Sequence, residues 1–300
     1  MKKYLILICA LSIGLIIALV VFLRPQTLGG RMISFDTNGL QLATTNNNGN
    51  DANTKLLIIG DGAHATTTFT DNSASAHTVT TNGNAQYTRT KKLGNQGSMI
   101  FDGTGDSLTI ADHADWDITG DFTIEAWVFY SDRPDLVNEV YRIAARGDVG
   151  ANNGDWAFAI GHVEAWGGAG FKMNADFRTG GVVNDYQTDA MGEYDAPVNT
   201  WNHWALVRNG SDLLFFLNGT LLKTVSTATE SMEGSTSMYV GARLVGAGLD
   251  EELKGLMDEV RFSSVARYTA DFTPVRRHNG YSFDTTDASN VLRVPSQIKL

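Results

Sequence analysis

The chain has a single cysteine, Cys9. That excludes any intrachain disulfide and every zinc or iron–sulfur site built from several thiolates. Basic residues are also few and form no long run. The 23 Lys and Arg stand against 33 Asp and Glu, which gives a formal net charge of -10 and an isoelectric point near 5.0. Duplex affinity comes chiefly from Lys and Arg neutralising phosphates, so no nucleic-acid partner is expected. With 5 Pro, 19% charged and 43% hydrophobic residues, the composition is neither disordered nor collagen-like. No Gly-x-Ser-x-Gly elbow, phosphate loop or dinucleotide fingerprint occurs. What remains is a chain of 300 residues expected to pack a core, with room for one large all-β domain plus appendages.

One long apolar run is present. Tyr4 to Leu23 carries no charge and, at about 1.5 Å per helical residue, is long enough to cross a hydrocarbon core of about 30 Å. Lys2 and Lys3 precede it and Arg24 follows, a bias that places the N-terminus inside and the rest outside. A cleaved signal peptide is the competing reading, but its apolar region should be only about 7 to 15 residues long and end in small residues. Here the run is longer and ends in Val20, Val21, Phe22 and Leu23. The expectation is a signal anchor over residues 1–25, a polar stalk over 26–52, a β domain over 53–275 and a polar tail over 276–300. That makes a single-pass membrane protein of a cell surface or virion membrane.

From Lys55 onward, short apolar or alternating runs are separated by Gly, Asn and Asp clusters, the pattern of an antiparallel sandwich. Trp201 to Val225 contains two Asn-Gly pairs between three apolar runs and predicts a three-stranded meander, because Asn-Gly tolerates the positive φ of tight hairpins. Asp121 to Tyr130 predicts a strand with Phe122, Ile124, Ala126 and Val128 on one face and Thr123, Glu125, Trp127 and Phe129 on the other. Both faces need cover, so this strand belongs in the middle of a sheet.

Four segments in order resemble the laminin G-like, concanavalin A-like jelly-roll family found in phage, viral and bacterial surface proteins. They are Asp61–Thr80 (DGAHATTTFTDNSASAHTVT), Met99–Val128 (MIFDGTGDSLTIADHADWDITGDFTIEAWV), Trp201–Thr224 (WNHWALVRNGSDLLFFLNGTLLKT) and Leu253–Pro274 (LKGLMDEVRFSSVARYTADFTP). The resemblance implies an all-β, two-sheet antiparallel sandwich with a convex and a concave face, preceded here by the expected transmembrane helix. It also implies carbohydrate or protein binding, and a structural Ca²⁺ held by Asp61, Asp71 and Asp258. Ala74 stands where relatives often have glycine, which weakens the carry-over to Asp71.

Sugars stack their apolar face on an aromatic ring while their hydroxyls need polar partners. Trp156 and Trp166, with Arg178 and Tyr186 in a second Gly-bearing stretch, are the candidate ligand-binding residues. The alternative for a tryptophan in a sandwich is the core. Arg146-Gly147-Asp148 reads as a turn, and the six histidines show no paired metal-ligand spacing. Retaining glycosidases need two carboxylates about 5–5.5 Å apart, and the strand at 121–130 offers Glu125 alone, so no enzyme is expected. Two functions follow. One is a membrane-anchored extracytoplasmic module binding a glycan or cell-surface receptor. The other is a structural virion or envelope protein whose jelly roll contacts virion proteins or further copies of itself.

Overall fold

Alternation along Phe122–Phe129 sets the architecture. Phe122, Ile124, Ala126 and Val128 enter the main core, and the intervening Thr123, Glu125, Trp127 and Phe129 are also buried, on the opposite face of the same sheet. The computed structural model describes residues 34–36, 39–41, 50–93, 97–133, 139–148, 154–162, 170–191, 196–226, 230–274, 276–278 and 281–283. The chain divides into two units, Met1–Asn46 and Asn47–Leu300. The first contains a hairpin of β1 (Ser34–Asp36) and β2 (Gly39–Gln41).

The second unit begins with β3 (Thr54–Ile58), β4 (Val79–Asn82), β5 (Gln86–Thr88), β6 (Ser98–Asp102), β7 (Ser107–Ile110) and β8 (Phe122–Phe129). It continues with β9 (Glu139–Arg146), β10 (Trp156–His162), β11 (Lys172–Thr179), β12 (Val182–Gln187), β13 (Trp201–Asn209), β14 (Asp212–Leu217) and β15 (Thr220–Ser226). Then come β16 (Met238–Val240), β17 (Arg243–Val245), β18 (Gly248–Asp250), β19 (Lys254–Ser263), β20 (Arg276–His278) and β21 (Tyr281–Phe283). Two antiparallel sheets form the sandwich. One has the order β12-β11-β10-β9-β16-β7-β4, and the other β15-β14-β13-β8-β19-β6-β5, with β3 also pairing β19. Facing side chains from both fill the core, among them Trp156, Phe158, Phe177, Trp204, Phe215, Met257 and Phe262. This is the aligned packing of two pleated sheets.

The meander forms as its Asn-Gly pairs require. Asn218 and Gly219 both adopt positive φ, 50° and 82°, in the turn between β14 and β15. A Cβ at Gly219 would lie 1.9 Å from the Phe272 carbonyl oxygen, because the segment after β19 runs back across this hairpin. That segment supplies Tyr268 and Phe272, whose rings stack at 3.5 Å and seal Ala205, Val207, Leu214 and Phe216 on the outer face of the eight-stranded sheet.

The membrane part of the expectation is corrected. Among the described residues no helix is long and apolar enough to cross a membrane, and the helical element described there is the 3-10 turn Ala114–Trp116. The described backbone is otherwise strand and connecting loop, whose polar groups are satisfied between strands rather than within a spanning helix. The transmembrane helix of the expected fold class, the membrane as partner through it, the anchored function and the single-pass placement at a cell surface or virion membrane are therefore withdrawn. The run Tyr4–Leu23 lies outside the described residues, as does most of the tail over 276–300.

Candidate functional site

On the outer face of the seven-stranded sheet, side chains between the core positions point away from the sandwich. Met238 and Val240 are buried in the core, so Tyr239 between them faces outward, level with Thr109 on one side and Ala145 on the other. The hairpin of β17 and β18 stands beside it. Together they line a groove of about 430 Å³ with Thr80, Asn82, Thr109 and Ser237 as polar groups and Tyr239, Leu244 and Leu249 as the apolar wall. Asn82 Nδ2 donates to Ser107 Oγ at 2.8 Å and to Thr109 Oγ1 at 2.7 Å, which fixes the amide before any ligand arrives. Burial raises the Tyr239 phenol above its ordinary value, so it stays neutral and able to donate.

Ion pairs hold the hairpin wall. Arg142 on β9 is 2% exposed, bonds Asp176 at 2.9 Å and pairs with Glu251 just after β18. Burial opposes the Arg142 charge, but Asp176 and Glu251 outweigh it and raise its pKa further. Arg243 adds bonds of 3.0 Å to Asp250 and to Glu251. Further along the face, packing around its carboxyl and then the charge of Asp176 push Asp185 up to about 6, although the residue as a whole is exposed.

Among the described residues, the expected ligand residues Trp156, Arg178 and Tyr186 do not converge. Trp156 is fully buried, its indole stacked on Phe262 at 5.6 Å and its Nε1 donating to the Trp116 carbonyl at 3.0 Å. A ring enclosed on both faces offers no platform to a sugar. Tyr186 lies at the rim of the core, 5.9 Å from Phe177, and is hydrogen-bonded to Glu230. Arg178 is half-buried and lies on β11 opposite Val183. Trp166 lies outside the described residues. Arg146 of the Arg-Gly-Asp turn is buried against Asp112 and Asp117. Tyr239 escaped the sequence reading because its strand is only three residues long, although Met238 and Val240 already marked its outward direction.

The expected metal ligands Asp61, Asp71 and Asp258 differ in what surrounds them. Asp71 is saturated: Oδ1 accepts from the Leu57 and Ser73 amides at 3.0 and 2.9 Å, and Oδ2 from Ser73 Oγ and the His77 amide, both at 2.8 Å. It is a turn organiser. Asp258 is different. Its Oδ1 accepts from the Gly60 and Glu259 amides at 2.7 Å each, whereas the buried Oδ2 meets no hydrogen-bond donor. Simple alternation would send Asp258 and Glu259 to opposite faces, but a bulge lies between Asp258 and Arg261 and Glu259 adopts a φ of 50°. Burial, then the charges of Glu259 and Asp61, hold the Asp258 carboxyl well above the carboxylate range. Burial and the charges of Asp61 and Asp258 also push the Tyr87 phenol to about 12. Gly60 permits the close approach, since a Cβ there would lie 2.5 Å from Ser98 Cα. One buried carboxyl oxygen without a donor, beside further acidic groups, is part of the oxygen set that a hard cation takes.

No catalytic motif is apparent in the chain. Glu125, the carboxylate of the central strand, is bound by Arg261, His203 and Tyr268.

The comparisons agree with the fold. The binding domain of Paraclostridial Mosquitocidal Protein 1 superimposes with a TM-score of 0.52 at 13% identity, over 72% of this chain and 50% of that one. The receptor binding domain of botulinum neurotoxin D gives 0.52 at 12% identity, over 72% and 50%. This chain thus spans about half the length of the solved chains it matches, and the likeness is one of fold. No curated protein matches it. A laminin G profile described as the concanavalin A-like lectin/glucanases superfamily matches residues 102–271, more than half of the sequence, and the chain belongs to that superfamily.

Proposed function

We propose that this chain is a carbohydrate- or receptor-binding module that takes its ligand in the groove beside Tyr239. The observation that carries the reading is the pairing of hydroxyl and amide groups from Thr80, Asn82, Thr109 and Ser237 with an apolar wall of Tyr239, Leu244 and Leu249. A sugar ring needs both: apolar C–H surface wants a ring or aliphatic wall, and its hydroxyls want fixed donors and acceptors. The solved domains of the same fold are described as binding and receptor-binding domains, which supports the same class.

The test is a glycan array with the full chain, followed by Tyr239→Ala. Binding should weaken by about tenfold or more, as when a central aromatic anchor is truncated. The half-buried site should leave the thermal midpoint nearly unchanged. An array with no signal, or equal affinity in the variant, overturns the reading.

Calcium is proposed at the unmet Asp258 oxygen, where the nearby charges of Asp61 and Glu259 favour a cation; when bound it would stabilise the sandwich. Asp71, already saturated, takes no part. Calcium at a hundredfold excess over its dissociation constant should add about 2.7 kcal/mol to stability. Chelation should reverse the gain, and Asp258→Asn should abolish the response. Identical melting curves with calcium and with chelator would sink it.

A further inference from the structure

The fold brings together two histidines that are far apart in the sequence. His77 precedes β4, and His113 caps the 3-10 turn that carries Asp115. One ligand atom from each of His77, His113 and Asp115 lies within 4.8 Å of the other two. His77 Nε2 is 2.9 Å and His113 Nδ1 3.4 Å from Asp115 Oδ2, and the two imidazole rings meet edge-on at 4.7 Å. Tetrahedral zinc, with bonds of about 2.0–2.2 Å to nitrogen and oxygen, sets its ligand atoms about 3.3–3.5 Å apart. The cluster needs only small side-chain shifts to reach that spacing.

We infer that His77, His113 and Asp115 form a zinc-binding site with an open coordination position.

The surroundings are those of a built site. The His77 ring packs against Trp116 at 4.7 Å, so the core fixes its orientation. Ser75 Oγ donates to Asp115 Oδ2 at 2.8 Å, the kind of outer hydrogen bond that orients a ligating carboxylate. His113 Nδ1 accepts the Asp115 amide at 3.1 Å, so this nitrogen carries the lone pair and the proton sits on Nε2. A metal at Nδ1 would replace that bond, and His113, with 52% of its side chain exposed, has room to adjust. Lys55 is the opposing charge. Its Nζ lies 3.9 Å from the other carboxylate oxygen, Oδ1, and is itself part-exposed, so it can turn to solvent. Two imidazoles with one carboxylate select zinc over calcium or magnesium, because nitrogen ligands suit the borderline ion and the hard ions prefer all-oxygen sets. The exposed side of His113 leaves the fourth position to water or to an incoming donor group.

The test titrates zinc into the full chain against a chromophoric chelator, with cobalt as a spectroscopic substitute that reports tetrahedral geometry. Equimolar uptake is expected, undiminished by excess calcium. His77→Ala and His113→Ala should each weaken it by more than about tenfold. Asp258→Asn, which alters only the acidic pocket, should leave zinc uptake unchanged. His113→Ala decides the matter if the more buried His77→Ala fails to fold. Absence of stoichiometric uptake, uptake equal to wild type in His113→Ala, or its loss in Asp258→Asn overturns the assignment.

Discussion

Glu125→Ala should destabilise the fold by about 3–5 kcal/mol, the cost of leaving a buried charge without its partner. Glu125 has no exposed surface and Arg261 retains only 1%. The carboxylate binds the Arg261 guanidinium, His203 Nε2 at 3.0 Å and Tyr268 Oη at 2.8 Å. Arg261 Nη2 reaches the same Tyr268 oxygen at 3.1 Å. Tyr268 stacks on Phe272, and both rings lie over Phe216. Removing Glu125 therefore strips the guanidinium of its counter-charge and loosens the segment that closes the outer face. The measurement is urea unfolding, where the midpoint should fall while the urea slope stays constant. Glu125→Ala combined with Arg261→Met should recover much of the loss, because an apolar replacement of a buried pair is often neutral. A single-variant loss below about 1 kcal/mol would mean that water reaches the guanidinium after all.

This network also shows where the sequence could be read and where it could not. Strict alternation across residues 121–130 correctly separated the core face of β8 from its other face and required cover on both. The Asn-Gly pairs marked their turns because positive φ is a local requirement. What covers the second face was not legible: Tyr268 and Phe272 follow β19, far from Glu125 in sequence, and only the fold places them there. The candidate sites follow the same rule. Tyr239, Asn82 and Thr109 come from three strands whose neighbour relations β4–β7–β16 are set by topology, not by spacing. His77 and His113 lack any ligand spacing, yet the pairing of β4 with β7 brings the ends of those strands together. The family resemblance implies Asp71 and Asp258 alike, and only hydrogen-bond geometry separates the saturated carboxylate from the one with an unmet oxygen.

Trp156→Ala should cost about 3–5 kcal/mol, as for other large aromatic truncations in a core. Trp156 has no exposed surface, stacks on Phe262 at an interplanar angle of 22° and donates its indole N–H to Trp116. Its loss leaves a cavity between the sheets and an unpaired carbonyl on the turn that carries Asp115. Trp156→Phe keeps most of the apolar volume but not the donor, so it should cost markedly less. The pair of variants separates two roles that a tryptophan in a lectin-like sandwich can play. If Trp156 is a core residue, Trp156→Ala lowers the unfolding midpoint steeply, while glycan affinity measured well below that midpoint stays near wild type; Tyr239→Ala does the reverse. Loss of glycan affinity in folded Trp156→Phe, at unchanged stability, would return the indole to the binding surface and displace the groove beside Tyr239 as the recognition site.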